Sequence, residues 1–398
     1  MVGSQGEPKR TFISIAGAAD KCSSDDKSGP FGSNRQVTGR NTPFNVNAIF
    51  NFRSFWDGRA NNVFNGVTPF GPTDASNPTV LQIVGGVPTP VTIALENASL
   101  ASQAVGPPNN GVEMSCAGRN FKQLGRKMLG LRPLNTQLVS KTDSLLGSLS
   151  RGSKPGLNTT YADMIKAAFD PQWWNSNAVV GGFSVMENNF SLYWGLSIMM
   201  YESTLVSGQT RYDAFLDGNT SALNAEEQLG LDVFRGKGRC DKCHDGAELT
   251  EATVSNGDPN GGFLNTAVRP VAEDGGDIVQ GNGMFKTPGL RNVELNGPYF
   301  HNGEMATLRQ VVDFYDRGGD FPSSFTDGDI RVLGLTEAEK HALVALMLAM
   351  TDDRVRYERA PFDHPALKVN NGPTLSAVGS GGRTKAVPLF LNVNQFQP

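Results

Sequence analysis

Two cysteines and a histidine form the stretch with the clearest chemistry in this chain, Cys240-Asp-Lys-Cys243-His244. This spacing is typical of covalent haem attachment, because each thiol can add to one vinyl group of the porphyrin. The imidazole of His244 would then be the proximal ligand of the iron. A zinc half-site and a redox-active CxxC are the alternatives. Zinc needs a second pair of ligands, yet Cys22 and Cys116 stand alone and far away.

The stretch between this motif and the last predicted helix must supply any sixth iron ligand. Its candidates are Met284, His301, Met305 and Tyr315. A thioether raises the reduction potential, whereas a phenolate favours ferric iron. The pattern alone does not choose among them. His341 falls in a predicted helix and His364 in the tail, where structural roles are the simpler interpretation.

Two residues upstream have types suited to electron and proton transfer. Trp56 lies in the aromatic segment Phe55-Trp-Asp-Gly-Arg-Ala60, and an indole beside a redox centre can carry an electron; ordinary core packing is the alternative. Glu113 is an isolated acid in an otherwise apolar or small context. It is either a pocket acid with a raised pKa, suited to moving a proton, or a carboxylate at a helix start.

Two predicted helices would position the haem motif. The first begins at the cap-like Asn224-Ala-Glu-Glu227 and runs into the CxxCH, with Gly230 offering close approach to another helix. The second begins at Thr336-Glu-Ala-Glu339. Crossing of these helices would close a lobe of cytochrome c type. Further helices are predicted at residues 120–132, 160–169 and 187–206, the last one buried between two lobes.

The predicted fold is mainly α, with cytochrome c-like helical lobes and long irregular loops. Gly- and Pro-rich composition predicts loops at residues 1–40 and 66–111. The predicted domains are an N-terminal lobe of residues 1–215, a haem-bearing lobe of residues 216–355 and an extended tail of residues 356–398.

Bulk properties narrow the function classes. The chain has 398 residues and a net charge of -4, which argues against a nucleic-acid binder, and no apolar run is long enough to span a membrane. The N-terminus shows no export signal, yet CxxCH haem attachment implies a periplasmic location, so we expect a removed signal or a start further upstream. In that compartment Cys22 and Cys116 are expected to pair as a disulfide, with two free thiols as the alternative.

Several motifs occur in a fixed order. They are Phe55-Trp-Asp-Gly-Arg-Ala60, the CxxCH, Thr287-Pro-Gly-Leu-Arg-Asn292, Pro298-Tyr-Phe-His-Asn-Gly303 and Thr307-Leu-Arg-Gln-Val-Val-Asp-Phe-Tyr315. In this combination the chain resembles the bacterial dihaem cytochrome c peroxidases over residues 36–350, with a closer likeness to their MauG-like branch.

The resemblance implies roles for four residues. His244 would be the proximal ligand of a C-terminal, electron-relaying haem, and Tyr315 its sixth ligand, where true peroxidases carry Met. Trp56 would lie between this haem and an N-terminal one. Glu113 would be the distal-pocket acid that assists O–O cleavage.

The resemblance also implies a calcium ion between the lobes. Its ligands would include the side chain of Asn41 and the main-chain carbonyls of Asn296 and Pro298. Asn296 is a mild departure from the family pattern that a carbonyl ligand would tolerate.

One departure from the family pattern is serious. The chain has a single CxxCH and no upstream cysteine pair for an N-terminal haem. We expect a truncated or mis-started polypeptide whose parent carries two haems; a genuine single-haem descendant is the alternative.

The predicted function is a haem c oxidoreductase that reduces hydrogen peroxide with electrons from a small cytochrome c or cupredoxin. A non-catalytic electron-transfer cytochrome is the rival, because peroxide needs an open iron position. A MauG-like oxidase acting on a partner protein or a hydrophobic substrate is the third hypothesis. The oligomeric state is open, with a homodimer among the expectations.

Overall fold

Helices carry most of the regular structure. The computed structural model describes residues 5–23, 35–258, 261–274, 281–368 and 373–398. The α-helices in these ranges are Ser99–Ala104 (α1), Phe121–Leu129 (α2), Tyr161–Ala168 (α3), Val185–Asn188 (α4), Phe190–Glu202 (α5), Arg211–Leu216 (α6), Ala225–Arg235 (α7), Leu308–Asp316 (α8), Glu337–Ala349 (α9) and Asp353–Arg356 (α10).

The strands form short antiparallel pairs, each of two strands, and no larger sheet is present in the described ranges. The pairs are Gln5–Pro8 (β1) with Arg35–Val37 (β4), Phe12–Ala16 (β2) with Ala19–Cys22 (β3), Val80–Val84 (β5) with Val87–Val91 (β6), Val179–Val180 (β7) with Phe183–Ser184 (β8), Phe263–Leu264 (β9) with Phe285–Lys286 (β10), and Leu367–Lys368 (β11) with Thr374–Leu375 (β12).

The expected loop at residues 1–40 is wrong, because β1–β4 lie there. These strands contact the segment that carries Glu113: the amide of Glu7 donates to the carbonyl of Val112. The predicted disulfide between Cys22 and Cys116 is confirmed and joins the same two segments. The second expected loop, residues 66–111, also contains regular structure, namely the β5–β6 hairpin and α1.

The first hydrophobic core is built around α5. It draws on residues between Phe64 and Met199. Gly195 of α5 lies against α1, since a Cβ there would come 3.0 Å from the carbonyl oxygen of Ala101. Whether this helix lies between two lobes stays a prediction. In the described part of the predicted segment, Leu205 packs against Val355 and Phe362, and the carbonyl of Val206 accepts a hydrogen bond from Arg354.

The second core is formed where α7 crosses α9. Both helices begin with the predicted capping box, in which the cap side chain and the acid three residues later bond each other's backbone amides. The predicted close approach at Gly230 is confirmed, because a Cβ there would lie 2.1 Å from the carbonyl oxygen of Ala342. This crossing holds the chain that follows α7 against the rest of the core.

The C-terminal segment is largely irregular, as predicted, but it does not run free. The buried side chain of Gln395 accepts hydrogen bonds from the hydroxyl of Tyr299 and the amide of Leu308, each at 2.9 Å. The amide of Ala366 donates to the carbonyl of Leu138 in the first half of the chain. The tail therefore contacts elements of both halves.

Within the part of the chain that the structure describes, no helix has the length and apolar character needed to cross a bilayer.

Candidate haem site

A single turn brings the two cysteines and the histidine together. After α7 the chain makes a 3-10 turn, Cys240–Lys242. The amides of Cys243 and His244 both donate to the carbonyl of Cys240, at 3.3 and 2.9 Å. This turn presents both sulfurs and the imidazole to one cavity.

The two thiols are free and protonated. They form no disulfide, and burial raises the pKa of both Cys240 and Cys243 to about 12. A redox-active CxxC requires a lowered thiol pKa, so these thiols do not suit dithiol chemistry. Among the described residues no group of three or more His, Cys, Asp or Glu side chains could hold a metal ion, which disfavours zinc.

The imidazole of His244 is oriented by a main-chain carbonyl. Its Nδ1 lies 3.0 Å from the carbonyl oxygen of Leu249. A carbonyl can only accept, so Nδ1 carries the proton and Nε2 keeps its lone pair. Burial lowers the pKa of His244, which favours the neutral ring. A neutral imidazole that carries its proton on Nδ1 can ligate iron through Nε2, and the carbonyl of Pro288 also approaches this ring.

The cavity around this motif suits a large planar apolar group. It encloses about 1490 Å³ of atom-free space, a figure that includes open solvent at its mouth. Much of its lining is aliphatic or aromatic, from α7, α8, α9 and the intervening loops. Its apolar walls include Phe234, Leu264, Phe285, Leu290, Val312, Leu343 and Met347. The donor set and the walls fit haem c.

Tyr315 of α8 lines the same cavity as His244. Its side chain is partly buried and hydrogen-bonded to that of Thr266. Burial, with the two cysteines adding to it, raises the pKa of Tyr315, so the side chain is a neutral phenol when no cation is bound.

The other sixth-ligand candidates are placed less favourably. Met284 and Met305 are absent from the cavity lining. His301 lines it, but its Nε2 lies 2.6 Å from the carboxylate of Asp274, and its ring stacks on Phe285 at 3.7 Å between centroids. His341 and His364 lie outside the cavity, bonded to Glu226 and to the carbonyl of Pro365.

Trp56 borders this cavity and a second, smaller one beside it. The indole is buried, and its Nε1 donates to the carbonyl of Asn41 at 2.9 Å. The ring also meets His301 edge-on, with centroids 6.3 Å apart. The structure therefore places Trp56 at the cavity that the haem motif also lines.

The three predicted calcium-binding residues also line the haem-motif cavity. The side-chain amide of Asn41 lies 2.5 Å from the carbonyl oxygen of Pro298, and Asn296 lies in the same loop, at the end of a 3-10 turn. Here the amide donates to the carbonyl, so a cation would require the side-chain oxygen to face inward instead.

Glu113 lies apart from both cavities. It occupies a turn before α2, so the interpretation as a helix-start carboxylate is wrong. Burial raises the pKa of Glu113, and the charge of Arg59 opposes that rise. Arg59 in turn stacks over the ring of Phe55 and pairs with Asp57, so the acid faces the segment that carries Trp56.

Lys286 is a site residue that the sequence does not reveal. It borders both cavities and is only 7% exposed. From the sequence, a lysine in a short strand is expected to be solvated. Only the position of Lys286 directly before the Thr287-Pro-Gly motif distinguishes it. The acceptor of His244, the carbonyl of Leu249, is equally invisible because it is a main-chain atom.

Known proteins resemble this chain over parts of its length. The cytochrome-c peroxidase IdrP1 of Denitromonas iodatirespirans is 34% identical over 202 residues, covering 43% of this chain and 54% of that protein. The methylamine utilization protein MauG of Methylorubrum extorquens is 28% identical over 158 residues, covering 38% and 42%. The chain thus spans about half the length of these relatives.

A solved structure shares the fold. A MauG-like protein associated with microbial copper homeostasis aligns with a TM-score of 0.52 and 21% identity, over 87% of this chain and 83% of that one. The sequence model of the di-haem cytochrome c peroxidase family matches residues 18–221, half of the chain, and ends before the CxxCH. With that match in the first half and the haem motif in the second, the chain belongs to the di-haem cytochrome c peroxidase family.

Proposed function

We propose that this protein is a haem c oxidoreductase of the peroxidase/MauG type, reducing hydrogen peroxide with electrons relayed through a haem on Cys240 and Cys243. The observation that carries the proposal is the convergence of both thiols, the imidazole of His244 and the phenol of Tyr315 on one largely apolar cavity. In this proposal residues 216–355 are a cytochrome c-like lobe.

The relay role follows from the axial ligands. Haem supplies one-electron redox chemistry and, on iron with an open position, peroxide activation. His244 and Tyr315 are the residues that would hold the haem iron. Of the four candidates, Tyr315 combines a place in the cavity with a side-chain oxygen engaged only by a neutral hydroxyl. With both residues bound, the haem would supply electron transfer, and peroxide reduction would need a second haem.

Trp56 and Glu113 complete the proposed route. Trp56 borders the cavity and carries electrons towards the first half of the chain. Glu113 supplies a proton to the departing hydroxide, because its raised pKa lets the carboxyl group hold that proton nearer to neutral pH. Reduction of one peroxide to two waters consumes two electrons and two protons, and these residues serve the two needs separately.

A calcium ion would stabilise the contact between the segment that carries Asn41 and Trp56 and the loop that carries Asn296 and Pro298. The support is the contact of Asn41 with the carbonyl of Pro298 beside Trp56, whose indole bonds the carbonyl of Asn41. A cation bound there by Asn41, Asn296 and Pro298 would fix Trp56 at the cavity wall.

The disulfide between Cys22 and Cys116 supports a periplasmic location, since disulfides persist in oxidising compartments. A small cytochrome c or a cupredoxin in that compartment would be the electron donor.

A single-haem electron carrier is the second candidate. One observation favours it: the chain has four histidines, all at or after position 244, so the first half has no histidine to ligate a second iron. Oxidation of a partner protein or of a hydrophobic substrate is the third hypothesis.

Peroxide-dependent oxidation of a reduced small cytochrome c tests the proposal. We expect turnover when the protein carries a second haem besides the one at Cys240 and Cys243, and a fall of about 10²–10⁴-fold in kcat for Glu113→Gln. The exposed Glu96→Gln is the matched control and should keep full activity. Full haem content without any peroxide turnover would favour the electron carrier.

A further inference from the structure

Lys286 is a cation buried at the wall of the haem-motif cavity. It lies in β10, where its register partner is Phe263, and its amide donates to the carbonyl of Trp56 at 2.8 Å. Its side chain borders both cavities. Lys286 therefore lies between the haem-motif cavity and the second, smaller cavity.

The other buried or partly buried cations around these cavities have partners. Arg239, on the haem-motif cavity, pairs with Asp329, and Arg291, on the second cavity, pairs with Asp213. Within the described residues Lys286 forms no ion pair, and its side chain has no hydrogen-bond acceptor. Glu248 is the acid that lines the second cavity, and it does not reach Lys286.

An ammonium ion without a partner in a buried position is unfavourable, because the protein interior solvates charge poorly. Burial accordingly lowers the pKa of Lys286 to about 8. Fold stability alone would favour an apolar residue at this position. A buried cation facing a cavity is instead suited to an anionic group that arrives with a ligand.

We propose that the Lys286 ammonium group binds a propionate carboxylate of the haem attached at Cys240 and Cys243. A haem carries two carboxylates on one edge, whereas the walls around the motif are mostly apolar. Lys286 marks the place where a carboxylate can be neutralised, and Trp56 borders the same two cavities. The proposal rests on the haem site proposed above and assigns Lys286 a positioning role.

The pairing has an electrostatic consequence. A fixed cation near the iron favours the reduced state, which carries one positive charge fewer. Removing that cation leaves the propionate charge uncompensated and favours the ferric state. The midpoint potential of the haem is therefore expected to fall when Lys286 loses its charge.

Three variants and two spectroscopic measurements test the pairing. Lys286→Met should lower the midpoint potential and shift the propionate bending band in the resonance Raman spectrum, whereas Lys286→Arg should keep both near the wild-type values. Lys237→Met is the control: it removes the same charge from an exposed side chain paired with Glu339 and should change neither. If the Lys286→Met variant keeps its haem but shows neither a lower midpoint potential nor a shifted propionate band, the pairing is wrong.

Wild-type protein provides a readout that needs no variant to fold. Exchange into heavy water should shift the propionate band, since a lysine ammonium group donates exchangeable hydrogens; a band that does not move overturns the pairing. Titration with acetate distinguishes a solvent anion, because an acetate-dependent potential would place a free carboxylate at Lys286 instead. If the protein carried no covalent haem, the proposed function itself would be wrong.

Discussion

The Nδ1 nitrogen of His244 donates to the carbonyl oxygen of Leu249 across 3.0 Å. That contact favours the tautomer with the proton on Nδ1 and, together with the carbonyl of Pro288, orients the ring. The neighbouring cysteines project into the same cavity through the turn that begins at Cys240. Hydrogen bonds to main-chain carbonyls thus position the two thiols and the imidazole of the motif.

Tyr315→Phe tests the sixth ligand. We expect loss of the six-coordinate ferric absorption spectrum, because phenylalanine cannot bind iron. Tyr299→Phe is the matched control: Tyr299 lines the same cavity, but its hydroxyl bonds Gln395. The control should lose about 1 kcal/mol of stability and keep its spectrum. An unchanged spectrum in Tyr315→Phe would point to Met305, Met284 or His301.

Gly230→Ala tests the crossing that positions the motif. Alanine favours helices by about 1 kcal/mol over glycine, yet its Cβ would lie 2.1 Å from the carbonyl of Ala342. We expect a net loss of about 1–3 kcal/mol in the free energy of unfolding, measured in urea. Gly208→Ala, where a Cβ meets nothing within 4 Å, should cost little. Equal stability of the two variants would contradict the close approach.

Removal of the disulfide should destabilise the first half of the chain. The bond between Cys22 and Cys116 closes a loop with a sequence separation of 94. Loop-closure entropy for that length gives about 4–5 kcal/mol, measured as the difference in unfolding free energy between wild type and the double serine variant. The haem spectrum should not change, because the bond lies far along the chain from Cys240. A spectral change without loss of stability would contradict this assignment.

Glu202 should make stability fall as pH rises. Burial raises its pKa from 4.5 to about 7, against a hydrogen bond from Asn45. Between those values the folded chain keeps a proton that the unfolded chain has released. The contribution is therefore complete below about pH 4.5, is lost as pH rises to about 7, and amounts to about 2–4 kcal/mol.

Urea titrations at pH 5 and pH 8 measure this effect. Glu202→Gln should show a smaller decline between the two pH values than wild type, while Glu96→Gln, an exposed position, should follow wild type. Identical declines in Glu202→Gln and wild type would refute the assignment.

The parts of the fold that sequence predicts are those with local causes. The helices α7 and α9 follow from capping boxes and apolar periodicity within a few residues, and the glycine at 230 marks their contact. The strands β1–β4 have no such signal. They are short, and they depend on distant partners, as when the amide of Phe12 donates to the carbonyl of Ala117.

The site divides in the same way. The CxxCH spacing identifies Cys240, Cys243 and His244, because covalent haem attachment requires these three residues within one turn. The burial of Lys286 and the hydrogen bond between His301 and Asp274 depend on the tertiary fold. Neither feature follows from the residue types alone. Spacing in a sequence carries no information about burial at a single position.

Haem content measures the principal proposal most directly. Protein matured with a haem-attachment system should give a c-type pyridine haemochrome, with one haem per chain that stays with the polypeptide in acid acetone. Cys240→Ala with Cys243→Ala should release the pigment. Colourless wild-type protein, or pigment that acid acetone extracts from it, would contradict haem attachment at this motif.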